Sequence, residues 1–75
     1  MKLNEVIQLF AREYARNDYY HVNIRFYTLD FLIEQAYSKL CRRYSGQVCN
    51  DQARDVFASA YTRKMNEMKA PTTQN

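Results

Sequence analysis

The sequence predicts an all-α fold, a small three-helix bundle with either a short strand or an irregular segment between helix 1 and helix 2. Apolar residues recur at helical spacing in three separate segments. The single glycine, Gly46, and the single proline, Pro71, fall outside these segments. At 75 residues the chain has room for one domain. We therefore expect a helical domain over residues 1–69 and a disordered C-terminal tail over residues 70–75.

Helix 1 is predicted from the spacing of apolar residues near the N-terminus. These residues follow an i, i+3, i+4, i+7 pattern and are Leu3, Val6, Ile7, Phe10 and Tyr14. Arg12 and Arg16 lie one turn apart on the opposite side, so they are expected to project together. Asn17-Asp18 is predicted to end the helix.

The segment after helix 1 alternates between apolar and polar residues. Its apolar positions are Tyr20, Val22, Ile24 and Phe26, and its polar positions are His21, Asn23 and Arg25. This period is typical of a half-buried strand, which could pair with the same strand of a second subunit. The other interpretation is a loop followed by the start of a helix. We favour the loop because every neighbouring element is helical.

Helices 2 and 3 have both a capping residue and an apolar face. Thr28 is predicted to cap helix 2 and Asn50 to cap helix 3, while Gly46 ends helix 2. The predicted buried face of helix 2 is Leu29, Leu32, Ile33, Ala36, Tyr37, Leu40, Cys41 and Tyr44. That of helix 3 is Ala53, Val56, Phe57, Ala60, Tyr61, Met65 and Met68.

Composition and charge narrow the function classes. The net charge is +3, and acidic residues are interspersed among the 11 basic ones, so the chain lacks the basic stripe of a strong phosphate binder. The N-terminus has polar residues where a signal peptide needs an apolar stretch, and no run approaches the ~20 apolar residues that cross a bilayer. We predict a cytoplasmic protein without a membrane partner.

Residues that could support catalysis or metal binding are few. The chain has one histidine, His21, and two cysteines, Cys41 and Cys49, without a CxxC motif. We therefore predict no catalytic residue, no metal site and no cofactor. A disulfide between the two cysteines requires Cα atoms within ~7 Å, and we favour the alternative of two free thiols.

The best candidate for a binding site is the aromatic segment between helices 1 and 2. Tyr19, Tyr20 and Tyr27 lie off the predicted apolar faces, and tyrosine offers a large contact area with few rotors to order. The candidate partner-binding residues are Tyr19, Tyr20, His21, Asn23, Arg25, Tyr27, Arg12 and Arg16. They predict a non-enzymatic protein-binding regulator or inhibitor, whose partner could present an acidic surface.

Two other functions remain open. The first is a nucleic-acid-binding transcriptional regulator that acts as a homodimer and holds phosphates with Arg12, Arg16, Arg42 and Arg43. Residues 21–62 resemble the ribbon-helix-helix family in their order of strand, helix, Ser45-Gly46 turn and helix. That resemblance implies that His21, Asn23 and Arg25 read bases in the major groove. The second is a structural homodimer that buries the aromatic segment in its own interface.

Overall fold

Three helices pack against one another in the structure, a computed structural model that describes residues 2–44 and 46–69. Helix α1 spans Leu3–His21, α2 spans Leu29–Arg43 and α3 spans Asp51–Lys69. A single 3-10 turn, Ile24–Phe26, lies between α1 and α2. The predicted all-α three-helix bundle is confirmed. The tail predicted for residues 70–75 lies outside the described residues.

The most extensive helix–helix interface joins α1 to α3. Two contacts occur in the same order along the two helices. Tyr14 packs against Phe57 with ring centroids 6.1 Å apart, and further along Asp18 forms a hydrogen bond with Tyr61. Near the C-terminal ends, Tyr19 and Lys69 line one groove. The two helices therefore run in the same direction, and α2 returns antiparallel to both. The α1–α2 connection thus lies at the same end of the bundle as the C-terminus of α3.

The core confirms the predicted faces of α2 and α3 but corrects the face of α1. In α1, Ile7, Ala11 and Ala15 are buried, whereas Leu3 is exposed and Phe10 is only partly buried. Small alanine side chains let the backbone of α1 approach α3, so the buried stripe lies to one side of the large apolar residues. At the centre of the core, the Phe57 ring packs between several tyrosine rings.

The predicted N-caps Thr28 and Asn50 are confirmed, whereas α2 ends at Arg43, three residues before the predicted terminator Gly46. The Thr28 hydroxyl oxygen accepts a hydrogen bond of 3.0 Å from the backbone N–H of Phe31. Asn50 Oδ1 accepts one of 2.8 Å from the N–H of Ala53. Both are N-cap bonds that satisfy a free donor in the first turn. Gly46, just beyond α2, has a φ of 90°, which only glycine adopts without strain.

The predicted end of helix 1 at Asn17-Asp18 is wrong, since α1 continues to His21. The Asp18 side chain is buried against α3, and its backbone oxygen accepts the Val22 N–H at 2.9 Å, closing a further helical turn. A polar residue that would end an exposed helix can continue a buried one when its side chain has a partner.

The segment that follows α1 is irregular, as the favoured interpretation predicted, and it is not a strand. The Phe26 N–H donates to the Asn23 oxygen at 3.1 Å, and residues 24–26 form the 3-10 turn. Nowhere in residues 2–44 and 46–69 does a strand form. The ribbon that the ribbon-helix-helix resemblance implied at residues 21–26 is therefore replaced by helix and turn.

Candidate protein-binding surface

The connection between α1 and α2 is held on the bundle by a few apolar contacts. Val22 and Ile24 are half-buried and pack against the core, as does Tyr19 from the last turn of α1. With these residues turned inward, Asn23 and Arg25 remain exposed to solvent. The short connection thus has a fixed inner side and an accessible outer side.

Four exposed rings lie in this connection or in the helical turns next to it. We refer to Tyr20, Phe26, Tyr27 and Phe31 as the aromatic surface. Their side chains are 64%, 79%, 46% and 45% exposed, respectively. The Tyr27 and Phe31 rings stack, with centroids 5.1 Å apart and planes inclined by 12°. Because stacking fixes both rings before any partner arrives, they would lose little side-chain freedom on binding.

The two predicted tyrosines at the end of α1 differ in their role. Tyr20 projects into solvent, whereas Tyr19 is half-buried and packs against the core. Their rings meet edge to face, with centroids 5.4 Å apart and planes at 85°. Tyr19 thus supports the exposed Tyr20 ring from the side of the core.

A groove with polar and basic residues lies at the same end of the bundle. Tyr19, Asn23 and Arg25 line an open groove, and Lys69 reaches the same groove from the last turn of α3. His21 is exposed in the last turn of α1. Arg25 and Lys69 place two positive charges at this groove, which favours an acidic group on a partner.

Arg12 and Arg16 are aligned with the aromatic surface because α1 extends to His21. Arg12, Arg16 and Tyr20 are exposed at intervals of four residues, so they share one helical face with about 6 Å of rise between neighbours. Arg12 also lines a groove between α1 and α3 that contains both acidic and basic side chains. Arg16 is therefore the nearer of the two arginines to Tyr20.

Sequence reasoning did not name three residues of this region as partner-binding residues. Phe31 lies off the apolar stripe of α2, between Leu29 and Leu32, and that position was the available signal. Phe26 belongs to the predicted aromatic segment but was not named among the partner-binding residues, because the alternating pattern also placed it on the apolar side of a possible strand. Lys69 is distant in the sequence, and no local pattern could have connected it to Arg25.

The arrangement separates the residues that acid–base or nucleophilic chemistry would need to combine. His21 lies at the α1–α2 end of the bundle, whereas Cys41 and Cys49 lie at the α2–α3 end, so most of the 15-residue helix α2, about 22 Å long, lies between them. In the described ranges 2–44 and 46–69, His, Cys, Asp and Glu side chains form no group of three that could hold a metal ion. What the site offers is apolar area, guanidinium and amide groups.

Comparisons with known proteins give no guide to the function. Neither a family model, nor a curated protein, nor a solved structure matches this chain. None of the helices described is long and apolar enough to span a bilayer.

Proposed function

We propose that this chain is a non-enzymatic regulator or inhibitor in the cytoplasm that docks on a larger protein through its aromatic surface. One observation carries the proposal. Of the six large hydrophobic side chains exposed in the described residues, the four aromatic ones lie between residues 20 and 31. Large exposed rings concentrated at one end of a small bundle are typical of an interaction surface.

The chemistry of the surface favours a protein partner. Aromatic residues and arginine dominate the binding energy of protein interfaces, because they desolvate a large area at a small entropic cost. Phe26, on the short 3-10 turn, is the most exposed ring and suits insertion into an apolar pocket. Arg25 precedes it in the chain and suits acidic residues around that pocket, and Lys69 adds a second positive charge at the groove that Arg25 lines. The partner would then present an apolar depression with a negatively charged rim.

Site-specific photo-crosslinking in the native cell tests this proposal. A photoreactive phenylalanine analogue replaces Phe26 in one variant and Leu9 in a control, since Leu9 is an exposed apolar residue of α1 outside the aromatic surface. We expect a discrete crosslinked protein from position 26 and none from position 9. Identical products from both positions would contradict a localised docking surface.

Alanine variants then separate binding from folding. Phe26→Ala with Tyr27→Ala is expected to weaken binding to the captured partner by about thirtyfold or more, equivalent to roughly 2 kcal/mol. Leu9→Ala should leave the affinity unchanged. Both variants should keep a melting temperature close to that of the wild type, because these side chains are exposed. Unchanged affinity in the double variant would refute the proposal.

One observation favours nucleic acid as an alternative target. Arg12 and Arg16 share an exposed face with Tyr20, and this arrangement suits phosphates beside a stacked base. Retardation of duplex or single-stranded probes at low salt, with affinity falling steeply as salt rises, would support that function.

If instead the chain forms a homodimer through the aromatic surface, Tyr20→Glu with Tyr27→Glu should give monomers in light scattering.

A further inference from the structure

Two free thiols lie near each other at the end of the bundle opposite the aromatic surface. Cys41 is half-buried in the last turns of α2, and Cys49 is exposed in the connection that leads into α3. Eight positions separate them along the chain. Nothing in the proposed docking function uses either thiol.

The Tyr37 side chain fixes the backbone on both sides of Cys49. Its hydroxyl donates to the Val48 oxygen at 2.5 Å and also lies 3.2 Å from the Asn50 oxygen. Tyr37 precedes Cys41 by one helical turn, so both project from the same side of α2. The residue that clamps the connection therefore holds Cys49 beside Cys41.

The pKa of the Cys41 thiol agrees with this geometry. Burial, and after it the neighbouring Cys49 thiol, raises that pKa above its ordinary value. Burial also raises the pKa of Tyr37 to about 12, so its hydroxyl remains a donor at neutral pH.

We propose that Cys41 and Cys49 form a reversible oxidation site, a dithiol that a hydroperoxide converts into an intramolecular disulfide. The exposed Cys49 thiolate attacks a peroxide oxygen and breaks the O–O bond, which gives a sulfenic acid; with hydrogen peroxide, the hydroxide that leaves takes up the proton released by the Cys49 thiol and forms one water. The Cys41 sulfur then attacks the Cys49 sulfur, and the hydroxide that leaves takes the Cys41 proton to form a second water. Two thiols and one hydrogen peroxide thus give one disulfide and two waters.

The structure assigns the two sulfurs to different steps. Thiolate is the reactive form, and the exposed Cys49 is accessible to peroxide, so it is the first to be oxidised. Cys41 is half-buried and less accessible than Cys49, and it serves as the resolving thiol. The disulfide would join the end of α2 to the start of α3, and a chemical reductant would restore both thiols.

Oxidation of the full-length protein with hydrogen peroxide tests the site directly. Under non-reducing conditions, intact mass spectrometry should show a monomer lighter by two hydrogen atoms, with both thiols blocked to alkylation. Cys41→Ser is the control, since it should accumulate higher oxidation states of Cys49 or disulfide-linked dimers. A wild-type monomer that keeps both thiols, or that gives only dimers and sulfinic acid, overturns the proposal.

A second measurement shows whether the fold, rather than mere closeness in sequence, brings the thiols together. The equilibrium of thiol–disulfide exchange with glutathione gives the effective concentration of the two thiols. It is measured for the native protein and for the chain in concentrated guanidinium chloride. We expect the native value to be about tenfold higher or more, and the disulfide then stabilises the fold by about 1.4 kcal/mol. A native value equal to or below the denatured one overturns the proposal.

Removal of the clamp provides a matched variant. Tyr37→Phe should lower the native effective concentration toward that of the denatured chain, because the hydroxyl no longer holds the Val48 and Asn50 carbonyls. If Tyr37→Phe does not fold, the urea midpoints of oxidised and reduced wild-type protein replace this measurement. A lower midpoint for the oxidised form would then count against the site.

Discussion

The contact most informative about this fold is the buried hydrogen bond between Asp18 of α1 and Tyr61 of α3. The Tyr61 hydroxyl donates to Asp18 Oδ2 at 2.5 Å. Tyr61 is fully buried and Asp18 is only 7% exposed, so water has little access to either group. Tyr61→Phe removes the donor and leaves the rest of the ring in place.

The expected cost follows from the burial of the carboxylate. Hydrogen bonds to charged groups contribute roughly 1.5–3 kcal/mol, and a buried acceptor that loses its donor incurs the cost of its desolvation. We expect Tyr61→Phe to lower the free energy of unfolding by about 2 kcal/mol. For a domain of this size, that corresponds to a fall in Tm of roughly 8–16 °C.

Urea unfolding followed by far-ultraviolet circular dichroism measures this effect. Tyr20→Phe is the matched control, because it removes a solvent-exposed hydroxyl from the same helix as Asp18 and should change stability by less than about 0.5 kcal/mol. Combining Tyr61→Phe with Asp18→Asn completes a double-mutant cycle, for which we expect a coupling energy of about 1 kcal/mol or more. Equal stabilities of Tyr61→Phe and Tyr20→Phe would refute this reasoning.

The pH dependence provides an independent test of the same bond. Burial, followed by the hydrogen bond to Asp18, raises the pKa of Tyr61 above its ordinary value of 10.0. Above that pH the unfolded chain releases the phenolic proton while the folded chain retains it, so stability falls as the pH rises. The decline in the free energy of unfolding with pH should be shallower in Tyr61→Phe. An unchanged slope would show that Tyr61 does not cause the decline.

Three further predictions concern the caps, the turn and the Tyr37 clamp. Thr28→Ala and Asn50→Ala each remove an N-cap bond and should lower the free energy of unfolding by about 1 kcal/mol, measured by urea unfolding; no loss would show that the caps contribute nothing. Gly46→Ala should lower the free energy of unfolding by about 1 kcal/mol or more, because alanine is strained at a φ of 90°. An added Cβ meets no atom within 4 Å, so the strain is the whole effect, and Gly46→Asn should lower stability less. Because burial raises the pKa of Tyr37 from 10.0 to about 12, its contribution to stability is complete below pH 10 and declines between pH 10 and about 12, and Tyr37→Phe should lack that decline in alkaline urea titrations.

Much of α2 and α3 could be predicted because their local signals agree with one another. Thr28 and Asn50 are strong capping residues, and each is followed by large apolar side chains at helical spacing. Burial of those side chains stabilises the helix on the same side that the pattern indicates. Sequence reasoning is reliable where propensity, capping and hydrophobic pattern lead to the same structure.

Helix α1 shows why such reasoning fails when close packing determines the buried face. Ala11 and Ala15 contribute little to a hydrophobic pattern, yet both are fully buried against the rest of the bundle. Leu3 contributes strongly to it and is exposed. Small residues allow helices to approach, and that benefit depends on the opposite helix, which a local pattern does not contain.

The segment that forms the candidate site could be predicted from the sequence, but not all of the residues that take part in it. The exposure of Tyr20 and Tyr27 follows from their positions off the apolar stripes, as the sequence indicated. Phe26 was in the predicted segment but was not named as a contact residue, and Phe31 was missed, because the exposure of these rings depends on a 3-10 turn and on the start of α2. Lys69 joins Arg25 only because α3 ends beside the α1–α2 connection.

The buried bond that stabilises the bundle also determines the geometry of the aromatic surface. If α1 ended at Asp18, Tyr20 would lie in a loop and would not share a face with Arg16. Because Tyr61 satisfies the Asp18 carboxylate inside the bundle, the helix continues for another turn and Tyr20 projects four residues beyond Arg16. Val22 and Ile24 then reach the core and hold the turn that exposes Phe26. The arrangement of rings that a partner would meet is therefore a consequence of one polar contact between α1 and α3.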